Sequence, residues 1–230
     1  MLNRKNTILH AAVFLGLTVC SAVYAQTITT ASAYFKTVSE NYATIKDYEA
    51  DMDLSVGKQQ MTAKVSFKRP DLLRLDFSDP ADQVILFNGD MLTIYLPGAS
   101  AVLQQSVQSD GSGAGGASLA TPQGLSLMSR YYTVAYETGQ EPVPLDDTSD
   151  EKVIKLVLNR RNTAEAFRSI KLAINAETKL IRRVEAVTPR GDEFVFSFTN
   201  YKLNQDISDQ RFIYDPPSSA NNYNNFLLSN

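Results

Sequence analysis

Tyr48-Glu49-Ala50-Asp51-Met52-Asp53-Leu54-Ser55-Val56 and, beyond Gly57, Gln60-Met61-Thr62-Ala63-Lys64-Val65-Ser66-Phe67-Lys68 alternate between apolar and polar side chains almost residue by residue. A strand places successive side chains on opposite faces, so this period of two predicts two half-buried strands joined at Gly57, with Tyr48, Ala50, Met52, Leu54, Val56, Met61, Ala63, Val65 and Phe67 on one apolar face. The pattern continues downstream. Leu73, Leu75 and Phe77 alternate with Arg74 and Asp76, and the run 84–87 ends in Asn88-Gly89, a strong hairpin signal, before 91–96 and Pro97-Gly98. Strand-like runs follow at 102–107, 132–136, 153–158, 169–174, 180–187 and 193–198. About eleven strands at regular spacing, with no alternation of strand and helix, predict a mainly β protein: an antiparallel barrel or a strongly curved sheet.

Two helices interrupt the strands. Ile28, Ala31, Phe35, Val38, Tyr42 and Ile45 recur every three or four residues, the spacing of one helical face. A shorter helix fits 122–130, with Leu119, Leu125, Leu127 and Met128 as its apolar side. Between the sixth strand and this helix, Asp110 to Ser118 is rich in Gly and Ser and reads as a loop. The inward face of the strands is Leu, Ile, Val, Met and Phe, with Phe194, Phe196 and Phe198 in a stripe. In a small barrel such side chains fill the interior; in a wider one they line a ligand cavity, and periodicity does not separate the two.

The N-terminus has the three-part layout of a secretory signal peptide. Arg4 and Lys5 precede an apolar stretch from Ile8 to Val23, and Val23-Tyr24-Ala25 offers small residues for cleavage before Gln26. The expected division is therefore a signal peptide over 1–25 and a single domain over 26–230. A second reading of the segment is a lipoprotein processing site at Leu17-Thr18-Val19-Cys20, with Cys20 acylated, although Val19 is a poor fit there. Cleavage at Ala25 would remove the only Cys and the only His (His10), and the chain has no Trp. The residues left could build no disulfide, thiol nucleophile, Ser-His-Asp triad or His/Cys zinc site. They would carry 20 basic and 25 acidic side chains, net −5, without a basic cluster. That balance argues against nucleic acid and against stable adsorption on an anionic membrane. The acidic group Asp146, Asp147, Asp150 and Glu151 sits beside Thr148 and Ser149 and reads as a solvated loop, not a metal or acid–base site. The tail 221–230 reads as an edge strand or as unstructured.

Several phrases resemble one family. Val65-Ser66-Phe67-Lys68-Arg69-Pro70-Asp71-Leu72-Leu73-Arg74-Leu75-Asp76-Phe77 is similar to the strand-turn-strand of the periplasmic outer-membrane lipoprotein carriers (LolA-like). Gln83 to Pro97, with Asn88-Gly89 at its turn, resembles that family's aromatic-rich hairpin. Phe198-Thr199-Asn200-Tyr201-Lys202-Leu203-Asn204 and Phe212-Ile213-Tyr214-Asp215-Pro216-Pro217 resemble its closing strand and Pro-Pro exit. The likeness runs from about Ile28 to Pro217. It implies an unclosed antiparallel β-barrel with helices forming a lid over an apolar cavity. It also implies a non-enzymatic periplasmic carrier without a cofactor that takes acylated lipoproteins from an inner-membrane releasing transporter to an outer-membrane acceptor. A monomer is expected.

By the same resemblance, Arg69 stands at the position of a lid-latching arginine, and 119–130 takes the place of the lid. Leu73, Leu75, Phe77, Leu125, Met128, Phe194, Phe196 and Phe198 are then the expected cavity lining. Two departures stand out: the tryptophan common after the family's turn is replaced in the neighbourhood of Leu73 and Leu75, and Asp110 to Ser118 lengthens the approach to the lid. Two other binding functions fit the same build, a lipid-binding lipoprotein anchored through Cys20 and an envelope-stress lipid sensor. A hydrolase working through carboxylates alone would need two facing carboxyl groups about 5–10 Å apart, where the inward positions are apolar.

Overall fold

In the first helix, α1 (Ala31–Thr44), the Thr30 side chain accepts the N–H of Ala33 at 3.1 Å and caps the first turn. Ala31, Tyr34, Phe35, Val38 and Tyr42 form its buried face. Ile28 does not join them: it lies outside the capped helix and is 85% exposed. The computed structural model describes residues 28–106 and 120–226. The expected signal segment with Cys20, the Gly/Ser stretch, Leu119 and the last four residues lie outside the described residues.

After α1 come β1 (Asp47–Val56), β2 (Gln59–Lys68), β3 (Leu72–Asp79), β4 (Val84–Asn88), β5 (Met91–Leu96) and β6 (Ala101–Ser106). The second helix, α2 (Pro122–Tyr131), runs directly into β7 (Tyr132–Tyr136). Then follow β8 (Val143–Pro144), β9 (Lys152–Arg160), β10 (Ser169–Asn175), β11 (Ile181–Val187), β12 (Glu193–Leu203) and β13 (Asn221–Asn224). All eleven expected strands are present. Of the two others, β13 takes the edge-strand alternative read for the tail, and β8 is two residues long with no alternation to announce it.

The thirteen strands form one sheet in the order β13-β6-β5-β4-β3-β2-β1-β12-β11-β10-β9-β7, with β8 also paired to β9. Neighbours are antiparallel except β13, which runs parallel to β6. The path ends at β13 and β7, so the barrel is unclosed. Two-residue turns join β1 to β2 and β4 to β5. Gly89 (φ +100°) occupies the β4–β5 turn, where a Cβ would come within 3.3 Å of an Asp71 carboxylate oxygen as well as straining the backbone.

Register aligns the apolar positions in rows across the sheet. Phe198, Met52, Ala63 and Phe77 are successive partners through β12, β1, β2 and β3, and Phe196, Leu54 and Met61 form the next row. Both helices cover this face. Beneath them lies one large apolar cluster that draws on α1, α2 and most strands. On the opposite face of β3 to β5 the chain forms a second, smaller cluster, Val84, Leu86 and Phe212, where the strap from Ile207 to Tyr214 crosses back.

Candidate functional site

The β2–β3 turn touches both helices. Arg69 is exposed, and its Nη1 donates to the carbonyl of Ala43 at 2.6 Å, in the last turn of α1. Helix C-terminal carbonyls have no partner within the helix, and they carry the negative end of the dipole. The last turn of α1 contains no basic residue of its own. Arg69 therefore supplies from another element the cation that this helix end lacks. Its backbone N–H also donates to Lys46 O at 2.9 Å. One residue on, the carbonyl of Pro70 accepts a hydrogen bond from the Gln123 side chain, in the first turn of α2.

This differs from the sequence expectation in one respect. Among the described residues, the guanidinium of Arg69 bonds α1, not the helix expected as the lid. α2 is held instead by the neighbouring Pro70 and by a buried tyrosine. Tyr48, fully buried on β1, donates its hydroxyl to Ala120 O at 3.0 Å, immediately before Thr121, the N-cap of α2. The Thr121 side chain accepts from Gly124 N at 3.1 Å. Read from the sequence, Tyr48 is simply one more inward position of an alternating strand. Only the fold brings its hydroxyl to a segment 72 residues away.

Further polar contacts seat α1 at its two ends. Near its start, Tyr136 donates to Thr29 O at 2.9 Å, and Thr29 N donates to the Gln140 side chain at 2.9 Å. Near its end, the Tyr42 hydroxyl accepts the Ile181 N–H and the Tyr201 hydroxyl donates to the Ile181 carbonyl, each at 2.9 Å. Tyr42 is fully buried, and burial pushes its phenol up to about 12; burial raises Tyr48 and Tyr201 further in the same direction.

The apolar residues singled out from the sequence come together. Leu73, Leu75, Phe77, Leu125, Met128, Phe196 and Phe198 are buried in the same cluster, and Phe194 packs against it half-buried. Leu125 and Met128 reach it from α2, and the others from β3 and β12. Toward β4 and β5 the same face continues as half-buried side chains: Ile85 and Phe87, then their partners Ile94 and Leu92. Apolar surface on the inner face thus extends past the residues that are fully covered.

The acidic group of the β8–β9 region fastens that segment to the sheet. Asp146 pairs with Arg183 at 3.3 Å, and Glu151 pairs with Arg182 at 2.7 Å while accepting from Asn175 at 2.8 Å. Hydrogen bonds from Thr148, helped by Arg183, hold the Asp146 carboxyl below the usual carboxylate range. Among the described residues no group of three His, Cys, Asp or Glu is placed to hold a metal ion. On the outer face Asp76 receives both Arg74 and Arg211, and Arg74 also donates to Arg211 O and Ile213 O. These bonds tie down the strap that precedes β13.

A family model described as outer membrane lipoprotein carrier protein LolA matches residues 52–215, from within β1 through the strap. The chain belongs to the LolA family. No curated protein matches it. Among solved structures, an uncharacterized conserved protein from Thermus thermophilus is similar with a TM-score of 0.55 at 11% identity, over 82% of this chain and 98% of that one. A LolA superfamily protein from Nitrosomonas europaea, NE2245, is similar with a TM-score of 0.40 at 14% identity, over 81% and 98% of the two chains. The lipoprotein LppX of Mycobacterium tuberculosis is similar with a TM-score of 0.46 at 9% identity, over 77% and 97%. At these identities the likeness is one of fold. No helix among the described residues is long and apolar enough to cross a membrane.

Proposed function

We propose that this LolA-family protein is a periplasmic carrier that shelters the acyl chains of lipoproteins between its helices and the inner face of its sheet. It would be exported with cleavage after Ala25, would work as a single domain over 26–230, and would use no covalent chemistry. Its partners would be acylated lipoproteins, an inner-membrane transporter that releases them and an outer-membrane acceptor. The observation that carries this reading is the turn Arg69-Pro70. It ties α1 through Ala43 and α2 through Gln123, beside a large and mainly apolar cluster.

The energetics suit a reversible load. Each exposed or half-exposed hydrogen bond contributes about 0.5–1.5 kcal/mol net. An acyl chain entering an apolar site gains about 0.8 kcal/mol per buried CH₂. A few methylenes therefore outweigh the bonds that hold the helices down, and the ligand replaces the apolar contacts those helices give up. Cargo can leave again if closure regains the same bonds.

Native mass spectrometry of the protein recovered from its own envelope fraction tests this, with Arg69→Leu alongside. The expected species is a chain beginning at Gln26 that carries acylated protein, held more tenaciously by the variant, whose closed form is weakened. A chain beginning at an acylated Cys20 would contradict a soluble carrier. A chain beginning at Gln26 with no acylated ligand, while lipoproteins are being released, would contradict carriage itself.

A further inference from the structure

Tyr34 is only 8% exposed, and its hydroxyl is buried without a hydrogen-bond partner among the described residues. Buried polar groups are almost always paired, so an orphan of this kind calls for an explanation. Two polar groups that contact its ring hydrogen-bond elsewhere. Tyr136, with its ring centre 6.4 Å away, gives its proton to Thr29 O. Lys179, whose ammonium stands 4.7 Å over the Tyr34 ring, donates to Ala176 O at 3.0 Å. Two other buried orphans carry less information. Ser39 sits in α1, where a serine hydroxyl can turn to the carbonyl four residues back, and Arg183 already engages Asp146 through another nitrogen. A tyrosine hydroxyl lies too far from its own backbone for such local relief.

The surroundings indicate what would satisfy it. Burial and the neighbouring Tyr136 push the Tyr34 phenol up to about 12, so it is a standing proton donor at any physiological pH. Tyr34 belongs to the same apolar cluster as Leu125, Met128 and Phe198. Its ring neighbours Tyr136 at the end of β7, the last strand of the sheet path, and its helix α1 packs on both α2 and β7.

We infer that the Tyr34 hydroxyl is the hydrogen-bond donor for an ester carbonyl of a bound acylated ligand. The inference rests on the proposed lipid binding and adds to it a fixed polar point at which the glyceryl end of the lipid is held. In the closed, empty protein the hydroxyl is desolvated and has no partner among the described residues. Loading supplies its acceptor, so the orphan favours the loaded state.

The test uses the protein lacking residues 1–25 and two synthetic diacyl-type lipopeptides of equal chain length, one with glyceryl esters and one with glyceryl ethers. Wild type is expected to bind the ester form about three- to ten-fold more tightly, the range that one net hydrogen bond supplies. Tyr34→Phe is expected to lose that preference by weakening ester binding alone, while its empty form melts no lower than wild type. Equal binding of ester and ether by wild type would overturn the inference and leave lipid binding standing. So would a preference that survives in Tyr34→Phe. A clear loss of stability in the empty variant would also overturn it, since the hydroxyl would then have a partner already. If wild type bound neither lipopeptide, the proposed function and this inference would fall together.

Discussion

The hydroxyl of Tyr48 donates to the carbonyl of Ala120 at 3.0 Å, joining the apolar sheet face to the entrance of α2. Both residues are buried, so the bond has no water to replace it. Removing a buried donor leaves its acceptor unsatisfied, which costs about 1–3 kcal/mol. Tyr48→Phe should therefore keep the ring packing against Phe67 and Tyr201 yet loosen α2. Hydrogen exchange should show faster exchange in 121–131 with little change in β1 and β2. Uniformly faster exchange would make Tyr48 a general stability residue with no particular hold on the helix.

A lid and a core wall answer differently to truncation. Phe198 is buried on β12, in the row with Met52, Ala63 and Phe77, and Phe198→Ala should cost about 3–5 kcal/mol of global stability. Leu125 is equally buried but belongs to α2, which can open by itself if it is a lid. Its loss is then capped by the free energy of local opening. Leu125→Ala should lower the urea midpoint much less than Phe198→Ala, while α2 exchange accelerates. Equal losses in both variants would mean that α2 unfolds only with the sheet.

Alkali should unfold the protein through its tyrosines. Tyr42 has its pKa raised to about 12 by burial, whereas an exposed tyrosine in the unfolded chain titrates near 10. A folded-state pKa above the unfolded one means that this contribution is whole below about pH 10 and is lost as pH climbs through the folded value. For Tyr42 the loss is on the order of 2–3 kcal/mol by pH 12. Tyr48 and Tyr201 shift in the same direction. Melting temperature should be flat below about pH 9 and fall steeply above about 10, and tyrosinate absorbance should appear together with unfolding. Gradual ionisation of the folded protein, without loss of structure, would contradict the burial of these hydroxyls.

The period-two pattern from Tyr48 to Phe67 carried most of the fold, because a strand covered on one side repeats its chemistry every second residue. Two elements escaped it for physical reasons. β8 is two residues long, and β13 is exposed at all four positions, so neither has a buried face to imprint on the sequence. The apolar inner face was legible for the same reason as the strands: Phe194, Phe196 and Phe198 show their side of the sheet by spacing alone. The polar fastenings were not. What Tyr48, Gln123 and Tyr34 do depends on which groups tertiary placement brings to them, and nothing local distinguishes such a tyrosine from one that only packs. Arg69 was found by family resemblance beside Pro70, yet its partner in α1 depends on where the helix ends, which register and packing decide.

Acyl chains held between the two helices and the inner sheet face would touch a definite set of side chains. The most direct measurement is photo-crosslinking of a diacyl lipopeptide carrying a diazirine at mid-chain to the protein lacking residues 1–25, followed by peptide mapping. Labels are expected on Leu73, Phe77, Leu125, Met128, Phe194 or Phe196, with competition by unlabelled lipopeptide. Labels confined to the outer face around Val84, Leu86 and Phe212, or no competable label at all, would contradict carriage at this site.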